Sequence, residues 1–314
     1  MKISDRTTNI IVQLAGLALL AIGLVSALIG PLETHVYRQF QEGGPFHYEG
    51  FGFGSLMFAN ITIQIAGYYV IAVLCLTLGY GHLKRRWWVR PAMTTLLIDW
   101  LIVGLPLSLL ALMILLTSKR PDLASLPFIM LGFLLLYPAL PITLLFFYRS
   151  HPVRREFEAS GIPSNWLLDT PQSVRVAASL LVLLAIVLHF PLLLGGLFPL
   201  FGKMAAGLPG VLLIDVSIFA TAVLAWGVSR RSRWAWWGAV LLLGLLTCSS
   251  AVTFLANTPH EIMSLMPLAP LEKEALSGIP VQGYHLALLT GMIPTAALIA
   301  VVLSRRGLIV QRSV

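Results

Sequence analysis

Three ionisable side chains fall inside long apolar runs of this sequence: Asp99, His189 and Asp215. Burying a charge in hydrocarbon is expensive, so such groups mark proton relays, ion paths or substrate sites by default. At 1.5 Å per helical residue, Asp99 lies roughly 10 Å from one end of its run, and Asp215 about 9 Å from the opposite side. His189 falls in the same half as Asp215, and the two can pair across helices as a proton-relay or substrate site. A structural reading competes with this one. Helix side chains tilt toward the N-terminus, so each aspartate leans toward its nearer surface, and Asp99 can bond Thr95 one turn back. A lone histidine such as His189 is more often a hydrogen-bonded packing residue.

A polar stripe is the next candidate. Asn60, Gln64, Gly67 and Tyr68 recur at helical spacing and share one face, with Thr62 and Tyr69 to the side. Such a face is expected to look into a bundle or a wet cavity rather than at lipid. Interhelical hydrogen bonding alone would account for it; lining a substrate path is the sharper alternative. The candidate substrate or ion pathway therefore comprises Asp99, Asp215, His189, Asn60, Gln64 and Tyr68.

Other chemistry finds less support. His35, His47, His260 and His285, with Glu33, Glu49 and Glu261, include no pair at HxxxH or HExxH spacing, so no metal site is assigned. Gly50, Gly52 and Gly54 form a GFGFG run that follows no strand, which fails as a nucleotide fingerprint. There is no nucleophile elbow, P-loop or zincin helix. No catalytic residue and no cofactor are assigned.

The elements that must hold these residues follow from composition. The chain has 314 residues, 58% of them hydrophobic and only 11% charged, against about 25% charged in ordinary soluble domains. Too few charges exist to cover a water-facing surface, so lipid is the solvent. The fold class is an all-α integral membrane bundle. Apolar runs long enough to span, about 20 residues each, lie at 9–30, 56–80, 92–117, 125–148, 172–200, 209–228, 234–256 and 284–303. Gly30-Pro31 is expected to end the first. Thr170-Pro171 reads as an N-cap with a first-turn proline that opens the fifth, and Pro209 does the same for the sixth. Prolines 106, 138, 141, 191 and 294 interrupt spans and are expected to kink them. Cys75 and Cys248 fall inside apolar helices and read as small packing residues.

The net charge of +8 is distributed as the positive-inside rule produces, with no long basic face for nucleic acid. Lys2, Arg6, Lys84, Arg85, Arg86, Arg90, Arg149, Arg154, Arg155, Arg175, Arg230, Arg231, Arg233, Arg305, Arg306 and Arg312 fall on one side. Arg38, Lys119, Arg120, Lys203 and Lys273 fall on the other. This split puts both termini in the cytoplasm, and the membrane reads as a bacterial plasma membrane. The apolar run after Lys2 and Arg6 is too long for a cleaved signal and reads as a retained first helix.

Residues 1–148 and 172–314 read as four-helix halves joined by a cytoplasmic linker, 149–171. LKRRWWVRPAM at 83–93 and SRRSRWAWWGAV at 229–240 occupy equivalent places, which suggests two parallel repeats. Arg and Trp anchoring at one interface would produce the same resemblance. Two long external loops, 31–55 and 257–283, offer a surface for a protein partner. The second opens with Thr258-Pro259-His260-Glu261, a capping-box pattern that predicts a short helix through Met266, and PLEKEALSG predicts a further turn. Three functional readings stay open: translocation of a small molecule or ion, which leads slightly; a non-catalytic accessory or scaffold subunit; and an intramembrane enzyme on lipid-linked substrates.

Overall fold

The computed structural model describes residues 5–117, 126–158, 170–277 and 281–309. Lys2, Lys119, Arg120, Arg312 and residues 159–169 of the linker lie outside them. Among the described residues eight helices are long and apolar enough to cross a membrane: Arg6–Phe40, Leu56–Leu83, Val89–Ile114, Pro127–Arg149, Gln172–Leu193, Leu208–Ser229, Arg233–Ala256 and Gly283–Arg305. The protein is an all-α polytopic membrane bundle.

Two boundaries differ from expectation. The first span does not stop at Gly30-Pro31 but continues as helix to Phe40 with Pro31 inside it. Proline removes only its own N–H, and the Thr34 hydroxyl donates to the Gly30 carbonyl at 2.8 Å, so the turn around it stays bonded. The fifth span, expected to reach residue 200, breaks after Val187 and resumes as the short helix His189–Leu193. Val187 is four residues before Pro191, the position whose carbonyl a proline ring displaces. The chain then forms a small antiparallel hairpin, Phe198–Leu200 with Lys203–Ala205. Gln172 opens the fifth helix behind Pro171 as N-cap, one residue later than expected, and with no side-chain cap bond. Leu208 opens the sixth with Pro209 in its first turn, as its sequence predicts.

Proline also explains two irregular turns. The third and fourth spans each widen to a π-helix, at Trp100–Gly104 and Leu135–Ala139. Pro106 and Pro141 follow each by two residues, and the wider turn makes room for a ring and a missing donor. The two widened segments meet, with Tyr137 lying over Gly104.

Spans five to eight pack around one apolar core that includes Leu180, Ile214, Leu243 and Val301, each without exposed surface. Trp236 donates its indole N–H to the Val301 carbonyl at 2.7 Å, joining the seventh and eighth spans. In the first half, spans one and two form a close hairpin of their own. Gly16 and Gly79 face each other there, and a Cβ on either would meet the other's carbonyl at 3.2 or 2.8 Å. The third span packs on the fourth and on the fifth.

The basic clusters after spans two and six adopt the same turn. Arg85 and Arg231 both take left-handed backbone, at φ 48° and 58°. Arg85 N donates to His82 O and Arg86 N to Gly81 O; Arg231 N donates to Val228 O and Ser232 N to Gly227 O. Gly81 and Gly227 each lie under the ring of a tryptophan, Trp88 and Trp234. The motif resemblance at these two sites thus extends to backbone geometry.

Candidate functional site

Asp99 is the buried member of the candidate set, only 9% exposed, at the last residue before the π segment of the third span. The Ser179 hydroxyl on the fifth span donates to the carbonyls of Arg175, at 2.9 Å, and Val176, and Asp99 Oδ1 has no hydrogen-bond partner. Thr95 does not serve it as expected, because its hydroxyl donates to Pro91 O at 2.9 Å, one turn back along its own helix.

Ile98 and Ile102, on either side of Asp99 in sequence, line a groove of about 1280 Å³. Its other walls are the fifth, seventh and eighth spans, from Gln172 near one end to Tyr284 near the other. Thr295 and Thr247 place hydroxyls 3.4 Å apart in its wall, and Gly291 leaves its floor open. The remaining lining is overwhelmingly aliphatic, so the groove suits hydrocarbon rather than a hydrated solute.

The other candidates face outward. Asn60 and Gln64 are exposed, and Tyr68 is half-buried. The expectation that this stripe looks into the bundle is therefore corrected. The second span presents its small residues inward, with Ala72 and Gly79 buried, because only these allow its close approach to the first. The amides are left on the opposite side. Asp215 and His189 are exposed as well, and no hydrogen bond or ion pair between them is formed. His189 Nδ1 instead lies 2.9 Å from Ala185 O. The short helix His189–Leu193 touches both the second and the sixth spans. Asn60, Gln64, His189 and Asp215 thus sit on three contiguous elements, all in the half of the bundle away from the basic turns.

The two long loops are tied together at that same end. Glu272 is buried, and its carboxylate accepts the backbone N–H of Met57 at 2.8 Å and of Ala269 at 3.0 Å. It therefore caps two helix starts at once, where exposed peptide N–H groups favour an anion. Thr258 and Glu261 form the expected capping box, on a helix of Pro259–Ser264 that ends two residues sooner than expected. PLEKEALS is helical at Pro270–Ser277. Phe40 and Phe51 stack at 5.3 Å, folding the glycine-aromatic run onto the end of the first span.

The hairpin between spans five and six is served by a polar ladder that sequence reading missed. Ser249 accepts from Phe201 N at 3.0 Å and donates to Pro199 O, Thr253 accepts from Gly202 N, and Asn257 donates to Gly202 O. Their spacing of four is a legible signal: one polar face on an otherwise apolar helix. Hairpin backbone packed against an apolar helix needs such partners for its N–H and C=O groups. A second missed pair is His82 with Tyr148, both fully enclosed near the basic end. The apolar run fades at residue 80, but the helix continues to Leu83 and carries His82 with it.

Among the described residues no group of three His, Cys, Asp or Glu side chains converges as metal ligands would. The chain matches no protein-family model, and comparison with curated proteins and with solved structures finds no relative. The fold defines a multi-pass, membrane-embedded helical protein.

Proposed function

We propose that this protein is a non-catalytic membrane subunit that packs against a transmembrane helix of a partner protein. One observation carries the reading: Asn60 and Gln64, polar residues of the apolar second span, are exposed on the outside of the bundle. An amide facing hydrocarbon is costly, and another protein surface removes that cost. The surrounding pattern supports it. Met57, Asn60, Gln64, Gly67, Ile71 and Leu74 alternate three and four apart, the spacing of a helix–helix seam, and none is buried. A Cβ on Gly67 would meet nothing within 4 Å, so a second backbone can come close there. His189 and Asp215 extend the polar surface sideways, and a partner cation would suit Asp215. Loops 31–55 and 257–283 continue it beyond the bilayer. In this reading both termini are cytoplasmic, in a bacterial plasma membrane, as the distribution of Lys and Arg supports.

Photo-crosslinking tests it. Benzoylphenylalanine at Ile63, beside the seam, is expected to give a protein adduct of discrete mass in native membranes. The same residue at Phe146, exposed on the fourth span, is expected to give lipid adducts alone. Lipid adducts alone at both positions would overturn the proposal.

Asp99 favours a second reading, translocation. A buried carboxyl with an unpartnered oxygen beside a π turn is the arrangement used to bind and release a cation or proton. Flux in proteoliposomes, abolished in Asp99→Asn with insertion intact, would support it; equal flux in both proteins would exclude Asp99 from any path.

A further inference from the structure

Among the described residues that line the large groove of the third, fifth, seventh and eighth spans, a single one is charged: Arg149, at the basic end. Arg149 is exposed, and its Nη2 lies 3.4 Å from Gln172 Oε1, a second lining group, so the guanidinium stands at the groove's mouth. No carboxylate pairs with it among the described residues. Ser173, next to Gln172, adds a hydroxyl to the same end. Beyond this point the walls are aliphatic. The Thr295 hydroxyl, further along, is already committed within its own helix, donating to Gly291 O at 2.6 Å.

The groove is long. On the eighth span its lining runs from Tyr284 to Leu303, a rise of about 28 Å at 1.5 Å per residue. That is close to the whole hydrocarbon thickness of a bilayer, about 30 Å. A tail confined to one leaflet would fill only half of it. The Tyr284 end has no charged lining residue among those described, so nothing there calls for a second anionic head. The volume of about 1280 Å³ also exceeds the roughly 300–1,000 Å³ usual for small-molecule sites. One cation at one end of a membrane-long apolar channel specifies one anionic head and one chain longer than a leaflet.

We propose that this groove binds a polyprenyl phosphate, its phosphate on Arg149 and its isoprenoid chain laid along the eighth span. Arginine pairs with phosphate through two parallel N–H bonds, and basic pockets between spans hold phosphate-bearing lipid heads. A partner helix would gain little polar contact here, since the Thr295 proton is already given to Gly291 O. The groove is separate from the second-span seam and does not rest on the subunit reading.

Retention of radiolabelled decaprenyl phosphate by the purified protein in nanodiscs tests it. Decaprenol has the chain without the charge, and farnesyl phosphate has the head on a short chain. Each, and phosphatidylglycerol, should compete at least tenfold less well than unlabelled decaprenyl phosphate. Arg149→Gln should lower retention of decaprenyl phosphate about tenfold and leave that of decaprenol unchanged, which also reports an intact groove. Gly291→Leu tests the chain. A Cβ there meets nothing within 4 Å, and the site lies about 18 Å along the helix from Leu303, beyond the reach of three isoprene units. It should bring decaprenyl phosphate down to the affinity of farnesyl phosphate and leave farnesyl phosphate itself unchanged. Benzoylphenylalanine at Leu288, exposed among the lining residues, should give lipid adducts in native membranes. Equal retention by Arg149→Gln and wild type, equal competition by any of the three comparison lipids, or no effect of Gly291→Leu would each overturn the proposal. A protein adduct of discrete mass at Leu288 would give the groove to a partner helix and overturn it as well.

Discussion

His82 and Tyr148, on the second and fourth spans, meet through a 2.6 Å hydrogen bond between Nε2 and the phenolic oxygen. His82 Nδ1 lies 2.7 Å from Leu78 O, so Nδ1 donates to that carbonyl and Nε2 accepts from the tyrosine. Phe157 closes the pair edge-on at 5.7 Å. Removing one partner strands a buried polar atom. Tyr148→Phe and His82→Phe should each lower stability by about 1–3 kcal/mol, and the double variant by less than their sum. Unfolding in detergent by SDS titration would measure this; strict additivity would show that the two residues act independently.

The first hairpin depends on backbone contact at Gly79. A side chain there would put its Cβ 2.8 Å from the Gly16 carbonyl oxygen and 2.9 Å from the Leu20 nitrogen. Neither backbone atom can yield without separating the helices. Gly79→Leu should destabilise the protein by about 1–3 kcal/mol or more. Gly132→Leu, where an added Cβ meets nothing within 4 Å, is the matched control and should leave the unfolding midpoint unchanged.

The ladder on the seventh span predicts where the hairpin will loosen. Thr253→Val keeps the volume and removes the oxygen that accepts Gly202 N–H at 3.0 Å. Ser249→Ala removes an acceptor for Phe201 N and a donor to Pro199 O. Each should cost about 1–3 kcal/mol. Amide exchange at Phe201 and Gly202 should rise in the matching variant, while exchange in the sixth span stays as it was.

Glu261 supplies a pH dependence outside the membrane. Its carboxyl is held below the usual carboxylate range, first by the Thr258 backbone N–H, at 2.7 Å, and then by the Thr258 side chain. A depressed folded-state value stabilises the short helix above the unfolded value, near 4.3, and that contribution disappears as pH falls through the folded one. Protection of the Ile262 and Leu265 amides, corrected for intrinsic exchange, should be flat from neutral pH to about 5 and fall below about 4. In Glu261→Gln it should be lower throughout and flat with pH.

Span number and the outer capping box were legible because each rests on local information. Twenty apolar residues need no tertiary context to be recognised, nor does Thr258 three residues before Glu261. The facing of the polar stripe was not local. Asn60 and Gln64 turn outward because Gly16 and Gly79, far from them in sequence, let the first two spans touch. The break before Pro191 was legible in principle, since a proline acts on the carbonyl four residues earlier. The burial of His285 and His82 was not, because each depends on helices that only the folded chain brings together.

The first hairpin is fastened at both ends by residues that come later in the chain. At its basic end Arg85 pairs with Glu156 at 3.6 Å and His82 takes Tyr148; at the other end Met57 N–H takes Glu272. During synthesis these fasteners arrive in order. Roughly 190 residues separate the end of the second span from Glu272, which at about 5–20 residues per second is on the order of ten to forty seconds. Throughout that interval the hairpin has only its own contacts, the close glycine approaches and the Arg85–Asn9 bond. On the proposed subunit reading, the seam would be available to a partner helix before the rest of the protein has been made.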